Sequence, residues 1–464
     1  MRRRLVPITF CLVLCLLARP AGQGALSAQF PTTADELLQT GRVWNIHLTF
    51  TREAWAALRP APPTTWARLR SMSRESDGFM GPEGKRNGIS AQQGLDFEYS
   101  HATLEFENRR FADVGVRHKG NGTYGIAQQS GKVSFKVDLD KFLKGQKLAG
   151  VTGFNLHSNI TDVSSMNEPL AYRLYRDAGV PAPRTAYARV FITVPGVQNR
   201  APYGLYSIVE DVDRAFAENR FKADGGALFK PVTMALFSYL GDDWARYNQR
   251  YDPKTTLTDS DKARLIDFCR VVTRADDRTF AERLPQFLDV DAFAQYLAVL
   301  VWLANPDSLL KQGQNFYLHL HPTTRQFTFV PWDQDHSFGQ YPFRAPTVFQ
   351  RMDILRPWTG ANRFLERTMT VPAFRDKYLA RLSALTKTTT LPARLTPQVD
   401  ALAAVLGPVV AEDTKLPRLP LFKKAIAGES FERPFYGGVV VPIKTFVPLR
   451  QESVLSQLRA LRVP

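Results

Sequence analysis

Two short apolar runs in this chain are placed to fold back on each other. Phe316-Tyr-Leu-His-Leu-His321 and Gln326-Phe-Thr-Phe-Val-Pro331 are separated only by Pro322-Thr-Thr-Arg325. Alternating runs rich in aromatic and β-branched residues, joined by a turn that opens with proline, read as a β-hairpin. Folding between Thr323 and Thr324 sets Phe316 opposite Pro331, and ordinary strand spacing then leaves Asn315 and Asp333 together at the open end of the ribbon. Asp307 stands just after the apolar helical pattern Val290 to Ala304, and Asp335 follows Asp333 by two residues. One short segment therefore gathers an amide and three carboxylates.

Phosphoryl transfer needs such a set. Mg²⁺ or Mn²⁺ takes hard oxygen ligands and keeps several waters, so Asn315 and Asp333, with Asp335 in support, are enough to hold one beside a polyphosphate. A separate carboxylate, Asp307, is left to accept or orient an acceptor hydroxyl. The order catalytic Asp, metal-binding Asn, hairpin, metal-binding Asp is that of the protein kinases. Each residue also has an ordinary use, Asp307 as a helix cap and Asp333-Gln334-Asp335 as a turn.

Gly120-Asn-Gly-Thr-Tyr-Gly125 fits G-x-G-x-x-G. A dinucleotide-binding fold requires a helix next, whereas a kinase loop is followed by a strand. Ser134-Phe-Lys-Val-Asp-Leu139 alternates like a strand, which favours the kinase loop. Lys136 lies within that strand, where an ammonium can grip phosphates. Glu168 falls in the first turn of a helix expected from about Met166 to Ala178. It has two uses, an ion pair with Lys136 or a capping box with Ser165.

The remaining pattern gives an α+β chain. Strands are expected at Trp44–Phe50, Ala102–Phe106, Val114–His118, Val133–Leu139, Arg189–Val194 and Gly204–Val209. Helices are expected at Asp259–Thr273, Val290–Ala304, Arg363–Thr386 and Leu395–Leu406. This divides the chain into a β-rich part, 43–205, a helical part, 206–406, and a Pro-rich extension, 407–464, with a short terminal helix. Residues 1–27 read as an export signal: Arg2 to Arg4, an apolar run from Leu5 to Leu17, then Ala25-Leu-Ser27. That run is too short to cross a bilayer, so a secreted, periplasmic or envelope location is expected, with no stable membrane span after cleavage. Cys11 and Cys15 lie in the signal, which leaves Cys269 and no internal disulfide. The formal net charge of +16 suits nucleotide phosphates or an acidic partner. No Lys/Arg-rich run with interleaved aromatics occurs, and nucleic acid is not an expected partner.

Several segments in order resemble the CotH kinase family. They are Val114-Gly-Val-Arg-His-Lys-Gly-Asn121, Ser134-Phe-Lys-Val-Asp-Leu-Asp-Lys-Phe142, Asp162 through Glu168-Pro-Leu-Ala-Tyr-Arg-Leu-Tyr-Arg-Asp-Ala-Gly179-Val-Pro-Ala-Pro183, Tyr203-Gly-Leu-Tyr-Ser-Ile-Val-Glu210-Asp-Val-Asp213, Asn315-Phe-Tyr-Leu318 and Pro331-Trp-Asp-Gln-Asp-His-Ser-Phe-Gly339. The likeness covers roughly residues 45–345. It implies a bilobal, atypical protein-kinase-like fold with a β-rich N-lobe and a mostly helical C-lobe. It implies ATP and Mg²⁺ (or Mn²⁺) as cofactors, and as partner a protein bearing Ser/Thr acceptors, either a secreted, envelope or coat protein or the chain itself. Carried over by position, Lys136 resembles the phosphate-gripping lysine and Glu168 its partner, while Arg117 and Lys119 flank the phosphates. Glu210 lies in the hinge beside adenine. Asp307 resembles the catalytic aspartate, Asn315 and Asp333 are metal ligands, and Asp335 assists the metal or fixes the loop. The chain departs from ordinary kinases in two ways: Asp307 and Asn315 are eight apart rather than five, and Ala304-Asn-Pro306 replaces the usual His-Arg before the aspartate. A catalytically silent scaffold and a metal-dependent hydrolase are the rival readings. Retention of Lys136, Asp307, Asn315 and Asp333 together favours the kinase over the first, and a hydrolase has no use for the glycine segment.

Overall fold

A computed structural model describes residues 30–61, 80–82, 86–311 and 313–463. The export signal expected at 1–27 lies outside the described residues.

The first half closes into a barrel. Its strands are β1 (Val43–Thr49), β2 (Ser100–Phe106), β3 (Arg109–Lys119), β4 (Ser134–Asp138), β5 (Gly153–His157), β6 (Thr185–Val194) and β7 (Gln198–Glu210). They run in the order β1-β2-β3-β4-β5-β7-β6, and β6 pairs with β1 in parallel to complete the ring. Closure leaves no edge strand exposed within the ring. The period-2 alternation seen in the sequence explains the wall. Trp44, Ile46, Leu48, Leu104, Val116, Phe135, Val137, Phe154, Leu156 and Ile208 point inward and fill the barrel. The residues between them point outward. On β3, β4 and β5 that outer face carries Arg117, Lys136 and Asn155 side by side, since Arg117 pairs with Lys136 and Lys136 with Asn155. Of the six expected strands, β1, β2 and β4 form close to as read, β3, β6 and β7 are longer than expected, and β5 is an addition.

The glycine segment is not an extended loop. A helix, Tyr124–Ser130, stands between Gly120 and β4. Tyr124 and Ala127, three apart, lie on one face of it and are buried with Phe97, Val133, Ile160 and Leu416. The helix forms because this satellite core covers it, and the inference from an immediately following strand is corrected accordingly.

The second half is helical around a second core. The Val290–Leu303 helix is apolar almost all round and buried from Phe293 to Leu303, as befits a central helix. Asp289 caps its start by accepting the Ala292 N–H at 3.0 Å, and Ala304 ends it in the left-handed region at φ 50°. It packs against the hairpin formed by β9 (Phe316–Leu320) and β10 (Phe327–Pro331). The register of that hairpin is the one read from the sequence, with Phe316 opposite Pro331. A short strand, β8 (Ala227–Phe229), adds to β9. The single helix expected at Arg363–Thr386 is two, Arg363–Thr370 and Pro372–Lys387, because Pro372 starts a helix and cannot continue one. The fold is α+β.

The C-terminal extension ends in a long helix, Ile443–Ala460, rather than a short one. Its Arg450 is fully buried and donates to four carbonyls: Val301 at 2.8 Å, Met352 at 2.8 Å, Trp302 at 3.3 Å and Gln350 at 3.3 Å. The cation thus ties the terminal helix to the end of the central helix. Arg450→Leu leaves those carbonyls unpaired, which costs on the order of 3 kcal/mol. A fall of at least about 5 °C in the thermal midpoint is expected, and an unchanged midpoint would show that the tie carries no stability.

Candidate active site

The functional residues meet where the outer wall of the barrel faces the open end of the hairpin. Two lysines project from that wall. Lys119, at the end of β3, donates from Nζ to Asn155 Oδ1 at 3.1 Å and lies 2.5 Å from His157 Nε2. The other nitrogen of His157, Nδ1, is 2.7 Å from Glu168 Oε2. Nδ1 faces the carboxylate and can donate to it, and Nε2 faces the Lys119 ammonium. The result is a relay, Lys119 to His157 to Glu168, in which a histidine is inserted into a lysine–glutamate pair. Burial pushes the Lys119 ammonium down to about 8, against the pull of Asp333 and Glu168. Burial would raise Glu168, but His157 and Lys119 hold it below the usual carboxylate range.

Lys136 has a different partner. Its Nζ lies 2.5 Å from Asp211 Oδ2, and Asn155 Nδ2 donates to Asp211 Oδ1 at 3.3 Å. Although burial acts the other way, Lys136 keeps the Asp211 carboxyl low. The ion pair expected between Lys136 and Glu168 is therefore corrected. Lys136 is directed to the end of β7, and the lysine two positions along β3 reaches Glu168 through His157. The capping box is corrected as well. The Asn167–Asp177 helix has Met166 at its N-cap with no side-chain cap, and Ser165 is left-handed at φ 58°. The Glu168 carboxylate faces inward, where Tyr172 Oη donates to Oε1 at 3.0 Å.

The same Tyr172 oxygen accepts the backbone N–H of Asp333 at 3.0 Å, so one hydroxyl joins the helix to the hairpin. Asn315 Nδ2 donates to the Asp307 carbonyl at 2.8 Å, which leaves its Oδ1 facing other donors or a cation. Gln314 Nε2 donates to Asp307 Oδ1 at 2.8 Å. The Asn315 carbonyl accepts the Trp332 N–H at 3.0 Å and closes the ribbon at its open end. Asn315 and Asp333 are both left-handed, at φ 60° and 52°. Asn and Asp tolerate that region better than other side chains, and paired excursions of this kind at a loop junction mark a site whose geometry is held from outside. Asp335 takes a hydrogen bond from Thr161 Oγ1, and its carbonyl takes one from Asn167 Nδ2 at 2.7 Å. Burial, then the neighbouring Asp335 and Glu168 carboxylates, pushes Asp333 up to about 7. Burial, with Asp307 and Glu168 adding to it, also raises Asp335.

The remaining expected residues are placed as follows. Arg117 Nη1 donates to the His118 carbonyl at 3.1 Å, and its guanidinium lies 5.4 Å from the Tyr99 ring. Glu210, at the end of β7, is held by Arg184 and by Arg220 at 2.9 Å. Its side chain is thus bound into an arginine pair, and the residue after it, Asp211, is the one that meets Lys136. Sequence reading missed Asp211, His157, Asn155, Tyr172 and Lys230. Lys230 follows the Ala227–Phe229 strand, and burial, with repulsion from Lys254 and Lys119, pushes it down to about 7. Its ammonium and that of Lys119 lie over the Trp332 indole, 5.2 and 5.0 Å from the ring centre.

Among the described residues, no group of three or more His, Cys, Asp and Glu side chains is gathered tightly enough to hold a metal unaided. Asn315, Asp333 and Asp335 offer hard oxygens only. Two of these are buried carboxylates whose ionised forms are disfavoured, Asp333 by burial and by Asp335 and Glu168, Asp335 by burial and by Asp307 and Glu168, an arrangement a divalent cation relieves. The donor set therefore fits Mg²⁺ or Mn²⁺, provided that phosphate and water fill the rest of the shell.

The family model described as CotH kinase protein matches residues 116–430, more than half of the chain. The match holds all nine expected site residues; it starts later than the likeness seen in the sequence and runs further into the helical part. The chain is 22% identical over 311 residues to "Inner spore coat protein H" of Bacillus subtilis (strain 168), covering 66% of this chain and 80% of that protein. It is 22% identical over 290 residues to "Inner spore coat protein H-like protein" of the same organism, covering 62% and 78%. No helix of the described residues is long and apolar enough to cross a membrane.

Proposed function

The chain belongs to the CotH kinase protein family, and from that premise we propose that it is an atypical protein kinase transferring the γ-phosphoryl group of ATP to Ser or Thr hydroxyls. In this reading the barrel, carried to the end of β7, is the N-lobe and the helical half with its hairpin is the C-lobe. One observation carries the proposal. Lys119, Glu168, Asn315 and the Asp333–Asp335 pair, drawn from four separate parts of the chain, converge with Asp307 at a single place.

Lys119 is the residue placed to donate to the phosphates, and the His157–Glu168 relay fixes its ammonium. Asn315, Asp333 and Asp335 would hold Mg²⁺ or Mn²⁺, which would offset phosphate charge there. Tyr172 sets the depth of Asp333 relative to Glu168. Asp307, anchored through Gln314 and Asn315, orients the acceptor hydroxyl and takes its proton. The bond from the acceptor oxygen to the γ-phosphorus forms as the bridge to the β-phosphate breaks, and ADP leaves. No covalent enzyme intermediate is needed.

The relatives are named as coat proteins, which favours a coat or envelope component as the setting and supports a second reading, a silent scaffold. Incubation with radiolabelled ATP, Mg²⁺ or Mn²⁺ and serine-rich acceptors separates the two. The kinase reading expects label on acceptor or on the chain itself, and a loss of at least about 100-fold in Asp307→Ala. Nucleotide binding without any label transfer would leave the scaffold reading standing.

A further inference from the structure

Directly beside Asp307 lies a cavity of about 280 Å³, with Pro306, the residue before it, in the wall. Lys311, Arg344, Arg351, Arg356, Asp353 and Trp358 also line it, among a mostly apolar remainder. The three arginines are exposed, and none has an ion-pair partner among the described residues. Asp353, whose Oδ1 accepts the backbone N–H groups of Leu355 at 2.7 Å and Arg356 at 3.0 Å, sets one negative charge against the four cations of the wall. Lys311 donates to Tyr341 Oη at 2.7 Å.

Trp358 adds an independent sign of a missing ligand. It is only 8% exposed, and its indole Nε1–H is buried without an acceptor. A buried donor left unpaired costs free energy, and such groups are rare unless something supplies the acceptor. A cationic rim, an aromatic wall and an idle donor together describe a socket for an anionic side chain.

We propose that this cavity binds a carboxylate or phosphoryl side chain of the acceptor polypeptide, a few residues from the hydroxyl that Asp307 orients. The inference deepens the kinase reading and rests on it for the direction in which the acceptor runs. Pro306, in the wall, directly precedes Asp307, so residues flanking an acceptor hydroxyl seated at Asp307 come within reach of this rim.

Fluorescent serine peptides carrying Gln, Glu or phosphoserine at successive positions around the acceptor provide the test. Binding is read by anisotropy without nucleotide, and phosphorylation is read in parallel with ATP. Glu or phosphoserine at one position should tighten binding about tenfold over Gln, the size of a charge-assisted contact; the stronger of the two identifies the anion. Arg344→Gln/Arg351→Gln/Arg356→Gln should abolish that preference and leave the Gln peptide unaffected. Trp358→Phe, which deletes the donor and shrinks the ring, should remove part of it. Equal binding of Gln, Glu and phosphoserine peptides, or a preference that survives the triple substitution, overturns the proposal. A preference in binding with no phosphate transferred to any peptide would instead count against the kinase reading alone.

Discussion

Asp333→Asn is expected to lower phosphotransfer by at least about 1000-fold while making the protein more stable at pH 8. The two effects share one cause. Burial and the Asp335 and Glu168 carboxylates push Asp333 up to about 7, and His157 and Lys119 offset only part of this. In the unfolded chain the same group ionises near its ordinary 3.8. Between about pH 4 and 7 the folded protein therefore keeps a proton that the unfolded chain has released. Stability falls as pH rises through that window and stays low above it. Asparagine cannot ionise and escapes this loss. In chelator, the gap in thermal midpoint between Asp333→Asn and the parent should be small near pH 4. It should widen to about pH 7 and hold at roughly 3 °C or more above that. Such a trade of stability for function is common where like charges are assembled to meet a cation. A variant that is less stable at pH 8, or that keeps its activity, removes Asp333 from the metal site.

The second large effect concerns the two lysines of the barrel wall. Lys119→Met should lower kcat/KM for ATP by at least about 100-fold, because it removes the one ammonium that the His157–Glu168 relay holds toward Asp333. Lys136→Met should cost less than about tenfold in the same parameter. It should destabilise the protein instead, since it leaves the half-buried Asp211 carboxylate without its ion-pair partner. Parallel measurement of kinetics and melting separates the roles. Were the kinetic loss to fall on Lys136 and the stability loss on Lys119, the phosphate-gripping role would return to the strand lysine that the family resemblance picks out.

The parts of the site that were legible in the sequence are those fixed by local geometry. The hairpin register follows from a short turn between two apolar runs, so the grouping of Asp307, Asn315 and Asp333 could be read from the chain alone. The partner of Glu168 could not. Lys119 and Lys136 lie on adjacent strands and on the same outer face of the barrel, and strand pattern cannot rank them. The choice is made by β5, a five-residue strand whose outward residues Asn155 and His157 stand between the lysines and the helix. With Asn and His at alternate positions, β5 lacks the apolar enrichment by which strands are recognised. The terminal helix was hidden for a related reason. Pro442 and Pro448 read as breakers, yet one stands at the N-cap and the other is accommodated within a helix anchored by Arg450. A buried arginine satisfied by four carbonyls leaves no sequence signature.

The central claim is that the barrel wall and the hairpin together grip a metal-bound triphosphate. Crystals grown with Mn²⁺ and a non-hydrolysable ATP analogue test it most directly, through the anomalous signal of the manganese. The account predicts a peak held by Asn315, Asp333 and Asp335, with the β- and γ-phosphates on its far side against Lys119. A manganese peak away from those three side chains, or a triphosphate that lies clear of Lys119, would contradict it.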